Sequence, residues 1–141
     1  MRERTGMISR QTLIFALMGT LATSLAVPVS AMEGLTGDVG AGEKVFRKCQ
    51  ACHAIGPGAV SKTGPLLTGV VGRPAGSIAE YSYSSVMTKA AGEGLVWAPE
   101  KISEFLTNPK AFLPGTKMAF AGIRKDQERA DLIAYLSTFN Q

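Results

Sequence analysis

Cys49-Gln50-Ala51-Cys52-His53 constrains this chain more than any other stretch, because it holds both cysteines and the only histidine among 141 residues. Two cysteines three apart, with a histidine directly after the second, form the attachment pattern for c-type haem. The spacing has a mechanical reason: at the end of a helix the two thiols can reach the two vinyl groups of the porphyrin. The imidazole one residue on then turns up to the iron. A thioredoxin-like redox pair needs a βαβ surround, which is missing here. A zinc site needs four ligands, and no other Cys or His is present to supply them. A plain disulfide leaves His53 without a task.

The N-terminus reads as a targeting segment. Arg2, Arg4 and Arg10 precede an apolar stretch from Leu13 to Val29, and Val29-Ser30-Ala31 offers small residues to a signal peptidase. We expect residues 1–31 to be a cleaved secretory signal and residues 32–141 to form one domain with one core. The rival reading is an uncleaved anchor. The stretch is short for a membrane span and contains Gly19, Thr20, Thr23, Ser24 and Pro28. Of the 15 Lys and Arg, three lie in this segment, as does Glu3 of the 11 acidic residues, so the formal charge falls from +4 to about +2. A balance that mild argues against nucleic acid, while leaving room for a positive patch that steers docking to an acidic partner.

Periodicity in the remainder predicts helices joined by long loops. Asp38 suits an N-cap, and Val39, Gly42, Val45, Phe46 and Cys49 recur at helical intervals, which predicts a first helix over 39–49. Gly42 inside that helix implies close approach by another helix, or else a glycine-rich entry to the first turn. After His53, some thirty residues are punctuated by Gly56-Pro57-Gly58, Gly64-Pro65, Gly69, Gly72, Pro74 and Gly76, with Leu66, Leu67, Val70 and Val71 inserted. Such a loop suits wrapping a large flat cofactor. A short helix is predicted over 81–91, and another begins at Pro99 and stops before Asn108-Pro109. A second loop covers 110–123. The strongest helical signal runs from Lys125 to Phe139, with Leu132, Tyr135, Leu136 and Phe139 on one face and Arg129 and Asp131 opposite. The expected class is all-α.

One histidine means that the iron cannot take two protein imidazoles. Its other axial partner is methionine, lysine, a weaker donor, or nothing. A thioether suits haem iron and raises its potential. Outside the leader the methionines are Met32, Met87 and Met118. Met32 sits at a terminus and Met87 in a predicted helix, whereas Met118 lies in a loop bounded by proline and glycine, free to approach the far face of the ring.

With these pieces in hand, the chain resembles the class I c-type cytochromes, the group of mitochondrial cytochrome c and bacterial cytochrome c2. The resemblance rests on Gly42-Glu43-Lys44-Val45-Phe46, Lys48 through His53, Gly64-Pro65-Leu66-Leu67, Gly72-Arg73, Tyr81-Ser82-Tyr83-Ser84, Trp97 and Asn108-Pro109. The longest matching blocks are Pro114 through Ile123 and Glu128 through Leu136. It implies a cytochrome c fold, in which crossed N- and C-terminal helices, short helices and long loops surround one covalently bound haem c. It further implies thioethers at Cys49 and Cys52, axial ligation by His53 and Met118, and a Pro65 carbonyl orienting the imidazole. Tyr83, Trp97 and Arg73 are implied to hold a haem propionate. Gly42 and Phe46 are implied to cross Leu132 and Tyr135. Where much of the family has a tyrosine donating to the methionine sulfur, this chain has Phe105.

The expected function is a soluble, monomeric periplasmic one-electron carrier, and not an enzyme. Two strong axial ligands close the iron to substrate and leave outer-sphere electron transfer. Transient partners would be a quinol-oxidising cytochrome complex, an oxidase, a reaction centre or a dehydrogenase, with no nucleic acid and no stable membrane insertion. Lys48, Lys62, Lys110 and Lys117 are candidate docking charges. A haem peroxidase is the competing reading. It requires an open iron and a distal acid-base group, and no second histidine can provide the latter.

Overall fold

Asp38 starts the first helix as its position suggests, its carboxylate accepting the Ala41 N–H at 2.6 Å. The computed structural model describes residues 36–140, so the expected leader 1–31 and Met32 lie outside the described residues. Five helices follow in order: α1 (Val39–Phe46), α2 (Ser85–Gly92), α3 (Pro99–Thr107), α4 (Pro109–Phe112) and α5 (Asp126–Ser137). The described residues contain no strand, only an isolated bridge between Pro74 and Val96. The all-α expectation holds.

α5 is one residue shorter at its start and two at its end than expected, and helix boundaries differ from the periodicity in three further places. α1 stops at Phe46 because the Lys48 and Cys49 N–H groups bond three residues back, to Val45 at 3.0 Å and Phe46 at 2.7 Å. That tightening takes the cysteine motif out of the regular helix and into successive turns. α2 begins at Ser85, with Ser84 as its cap and Tyr81 and Tyr83 left in the loop before it. α4 begins at Pro109 and takes the first three residues of the predicted second loop. Asn108 is extended (φ −160°), ends α3, and accepts the Ala111 N–H at 3.2 Å, so one residue stops one helix and caps the next.

The most extensive helix–helix contact joins α1 to α5. A Cβ on Gly42 would meet the Asp131 carbonyl and approach Tyr135 Cβ to 2.7 Å, so the missing side chain is what lets the two backbones touch. Phe46 stacks on Tyr135 at a centroid separation of 5.4 Å, and Leu132 is 1% exposed. Burying a side chain the size of Phe46 contributes about 2–3 kcal/mol. α3 adds Ile102, Phe105 and Leu106 to the same core.

Arg129 and Asp131, read from the sequence as lying opposite the apolar face, are each only 7% exposed. Asp131 accepts the Asp38 N–H at 2.8 Å and the Gln127 amide at 2.8 Å, placing a carboxylate at the N-terminus of α1. Partner contacts of this kind, invisible in a helical wheel, make burial of the charge tolerable.

Candidate metal centre

The core does not close on itself. Helices α1, α3 and α5 and both long loops enclose a cavity of about 320 Å³. Phe46, Leu67, Val70, Ile102, Leu106, Leu132 and Leu136 give it apolar walls, and Cys49, Cys52, His53, Met118, Tyr83, Trp97 and Arg73 all reach it. Every site residue expected from the sequence therefore borders one space, Pro65 included.

Cys49 and Cys52 stand on one edge in the turns after α1, where the Cys52 and His53 N–H groups both bond to the Cys49 carbonyl, at 3.0 and 2.9 Å. Both thiols are free. Burial pushes the Cys49 thiol up to about 11, overriding the nearby Lys48 ammonium.

His53 is fixed from behind. Its Nδ1 lies 2.7 Å from the Pro65 carbonyl, which selects the tautomer protonated there and leaves Nε2 as the lone-pair donor. Gly64 packs flat against the ring, since a Cβ there would come within 2.8 Å of both ring nitrogens. Burial lowers the imidazole pKa, partly opposed by the bond to Pro65. The neutral, metal-binding form is therefore favoured. In the sequence Gly64 is loop punctuation, and only the packed ring reveals why a side chain is excluded.

Met118 enters from the loop between α4 and α5. From Lys117 to Gly122 no backbone group makes a backbone–backbone hydrogen bond among the described residues. Lys117 instead donates to the Ser82 carbonyl at 2.9 Å, and the Met118 N–H to the Thr116 hydroxyl at 3.3 Å. The segment is thus shaped by its ends and by what it packs on.

Among the polar residues of the lining, Tyr83 oxygen accepts the Ile78 N–H at 3.3 Å, and Arg73 donates to the Thr68 and Leu66 carbonyls at 2.7 and 3.0 Å. The Trp97 indole lines the same cavity. An indole N–H, a phenol and a guanidinium lining one apolar cavity fit a group that is flat and apolar with an anionic edge. A thiol pair on one side, with an imidazole nitrogen and a thioether reaching the same space, fits an iron porphyrin.

Two contributors escaped the sequence reading. Met87, set aside as helical, is buried on α2 and lines the same cavity. Tyr81 ties the two halves of the first loop together, donating to the Thr63 carbonyl at 2.7 Å and meeting Tyr83 edge-on at 4.8 Å. Helical spacing could have flagged Met87. Nothing local marks the partner of Tyr81.

Known proteins place the chain closely. The family model described as cytochrome c matches residues 39–140. Cytochrome c2 of Agrobacterium tumefaciens (strain II Chrys) is 56% identical over 100 residues, covering 71% of this chain and 90% of that protein. Cytochrome c2 of Blastochloris viridis is 44% identical over 128 residues, 91% of this chain and 93% of its own. Among solved structures, cytochrome c2 from Rhodospirillum centenum superposes with a TM-score of 0.71 at 41% identity, covering 74% of this chain and all of that one.

Proposed function

The chain belongs to the cytochrome c family, and from that premise we propose that it is a soluble periplasmic carrier whose iron is held by His53 and Met118. Family membership brings haem c, joined covalently through Cys49 and Cys52, and electron transfer in place of catalysis. The observation that carries the axial-ligand reading is the 2.7 Å contact of His53 with Pro65 in a cavity that Met118 also lines.

Haem iron supplies a one-electron couple, and a His/Met ligand pair favours its reduced form. The chain's own residues do the rest. Pro65 and Gly64 orient the imidazole. Phe46, Leu67, Leu106 and Leu132 exclude water, so that the environment reorganises little as charge changes. Tyr83, Trp97 and Arg73 offer donors to a propionate.

Periplasmic residence follows from reading residues 1–31 as an export signal, with the mature domain beginning at Met32 and acting as a monomer. No helix of the described residues is long and apolar enough to cross a membrane. Donors and acceptors would be membrane redox complexes or dehydrogenases on one side and an oxidase or reaction centre on the other. They would be met transiently through the lysines around the haem edge.

The test is a redox titration of the purified holoprotein, with spectra of both oxidation states. A near-infrared thioether band in the ferric form and no carbon monoxide binding in the native ferrous form are expected. Absence of the band, or ready carbon monoxide binding, overturns ligation by Met118 and reopens the peroxidase reading. The N-terminal residue of the exported protein separates a cleaved leader from an anchor.

A further inference from the structure

Arg129 is the most heavily engaged buried charge among the described residues. Its Nε donates to the Ser103 hydroxyl on α3 at 2.9 Å, and its Nη1 to the carbonyls of Ile123 at 2.6 Å and Arg124 at 3.0 Å. Its Nη2 pairs with Asp126. None of these partners lines the cavity, so the guanidinium takes no part in the centre directly.

Its acceptors nevertheless sit at one telling place, the stem where the Met118 loop rejoins α5. The same stem is held by the Ile123 N–H on the Leu106 carbonyl at 2.7 Å, and by Gly122 pressed against the Thr107 carbonyl. Between Lys117 and Gly122 the backbone makes no backbone–backbone bonds among the described residues, so tension in this segment passes to its ends. One end is stapled to α3 and α5 almost entirely through Arg129 and Ile123. α3 in turn carries Ile102, Phe105 and Leu106 into the cavity.

We propose that Arg129 is a positioning residue for the metal centre. By clasping the Ile123 and Arg124 carbonyls against Ser103, it fixes the stem of the loop and so sets how firmly Met118 holds the iron. This rests on Met118 being the axial ligand. A lysine in its place keeps the charge and loses the fork that reaches four acceptors at once.

The experiment titrates ferric holoprotein with imidazole and reads loss of the near-infrared thioether band. In this exchange the iron–sulfur bond of Met118 breaks and an iron–nitrogen bond to imidazole forms, with no change of oxidation state. Arg129→Lys is expected to bind imidazole about tenfold more tightly than the wild type, the scale of lost charge-assisted hydrogen bonds. Ile133→Val removes one buried methyl group away from the cavity and serves as a control of lowered overall stability. It is expected to stay within about twofold of the wild type. Equal binding by Arg129→Lys and wild type, or an equal gain in Ile133→Val, overturns the proposal.

A second readout needs no variant. Coupling is reciprocal, so if the clasp favours bound Met118, release of Met118 must loosen the clasp. Hydrogen exchange at the Ile123 amide should then be faster in the imidazole complex than in the free protein. Unchanged protection overturns the proposal. A wild type without the thioether band would instead remove the ligand reading beneath it.

Discussion

Gly42 of α1 and Asp131 of α5 touch backbone to backbone, with the Asp131 carbonyl standing where a side chain on Gly42 would begin. Two opposed effects meet at this position. Alanine favours a helix over glycine by about 1 kcal/mol, whereas forcing a methyl group into packed backbone loses about 1–3 kcal/mol. The steric term wins, because carbonyl atoms and Tyr135 Cβ cannot rotate away. Gly42→Ala should therefore lower stability by about 1 kcal/mol net. Gly40, two residues earlier, is exposed, with its nearest neighbour Asp38 Oδ1 at 3.4 Å, and Gly40→Ala should gain about 0.5 kcal/mol. Urea unfolding of the two holoprotein variants checks the opposite signs.

Phe105 lies 8% exposed between Trp97 at 5.1 Å and Phe112 at 5.7 Å, beside the cavity that Met118 enters. A phenyl ring offers the methionine sulfur no hydrogen bond. On the proposed ligation by Met118, a Phe105→Tyr hydroxyl would draw electron density from the thioether and favour ferrous iron. A bond of about 1 kcal/mol acting fully on one oxidation state corresponds to about 40 mV. The midpoint potential should rise by up to that amount, and an unchanged potential would refute the coupling.

Glu128 bridges Lys48, at 2.7 Å, and Lys125, at 3.2 Å, joining the haem-attachment turn to α5. Hydrogen bonds to Lys48 and then Lys125 hold its carboxyl below the ordinary range. A carboxylate with a lowered folded pKa stabilises above its unfolded pKa and loses that contribution as pH falls through the folded one. Glu128→Gln should be slightly less stable than the wild type at pH 7, with the difference lost as pH falls below the ordinary glutamate range. Denaturant midpoints across that range test it.

The same bridge sorts the candidate docking charges. Lys48 is paired with Glu128, whereas Lys62 and Lys117 donate to the neutral carbonyls of Gln50 and Ser82 and keep their full charge outward. Lys110 has no ion-pair partner among the described residues. Electron-transfer rates with an acidic redox partner should fall as salt rises. Gln at 62, 110 or 117 should flatten that dependence more than Gln at 48. Stopped-flow rates from low to high ionic strength decide it, and salt-independent rates would remove steering by lysines.

Much of the centre was legible because covalent chemistry is local. Cys49 and Cys52 are close neighbours in sequence, so a pentapeptide sufficed to point to haem c, which family membership bears out. The helices were legible where one apolar stripe meets one partner, as with Val45, Phe46, Leu132 and Leu136. Boundaries were less so. α1 tightens at Lys48, and α4 restarts at Asn108, for reasons of backbone bonding that periodicity does not register.

The sequence by itself determined the chemistry of the prosthetic group, its attachment points and the helical class, because those depend on residue type and spacing along one segment. Only the tertiary structure decided what surrounds the iron site: Gly64 against His53, Met87 in the wall, Asp131 at the N-terminus of α1 and Arg129 beneath the Met118 loop. Each of those depends on a carbonyl, a ring or a helix end brought in from far along the chain. A buried charge or a missing side chain has no meaning until that partner arrives.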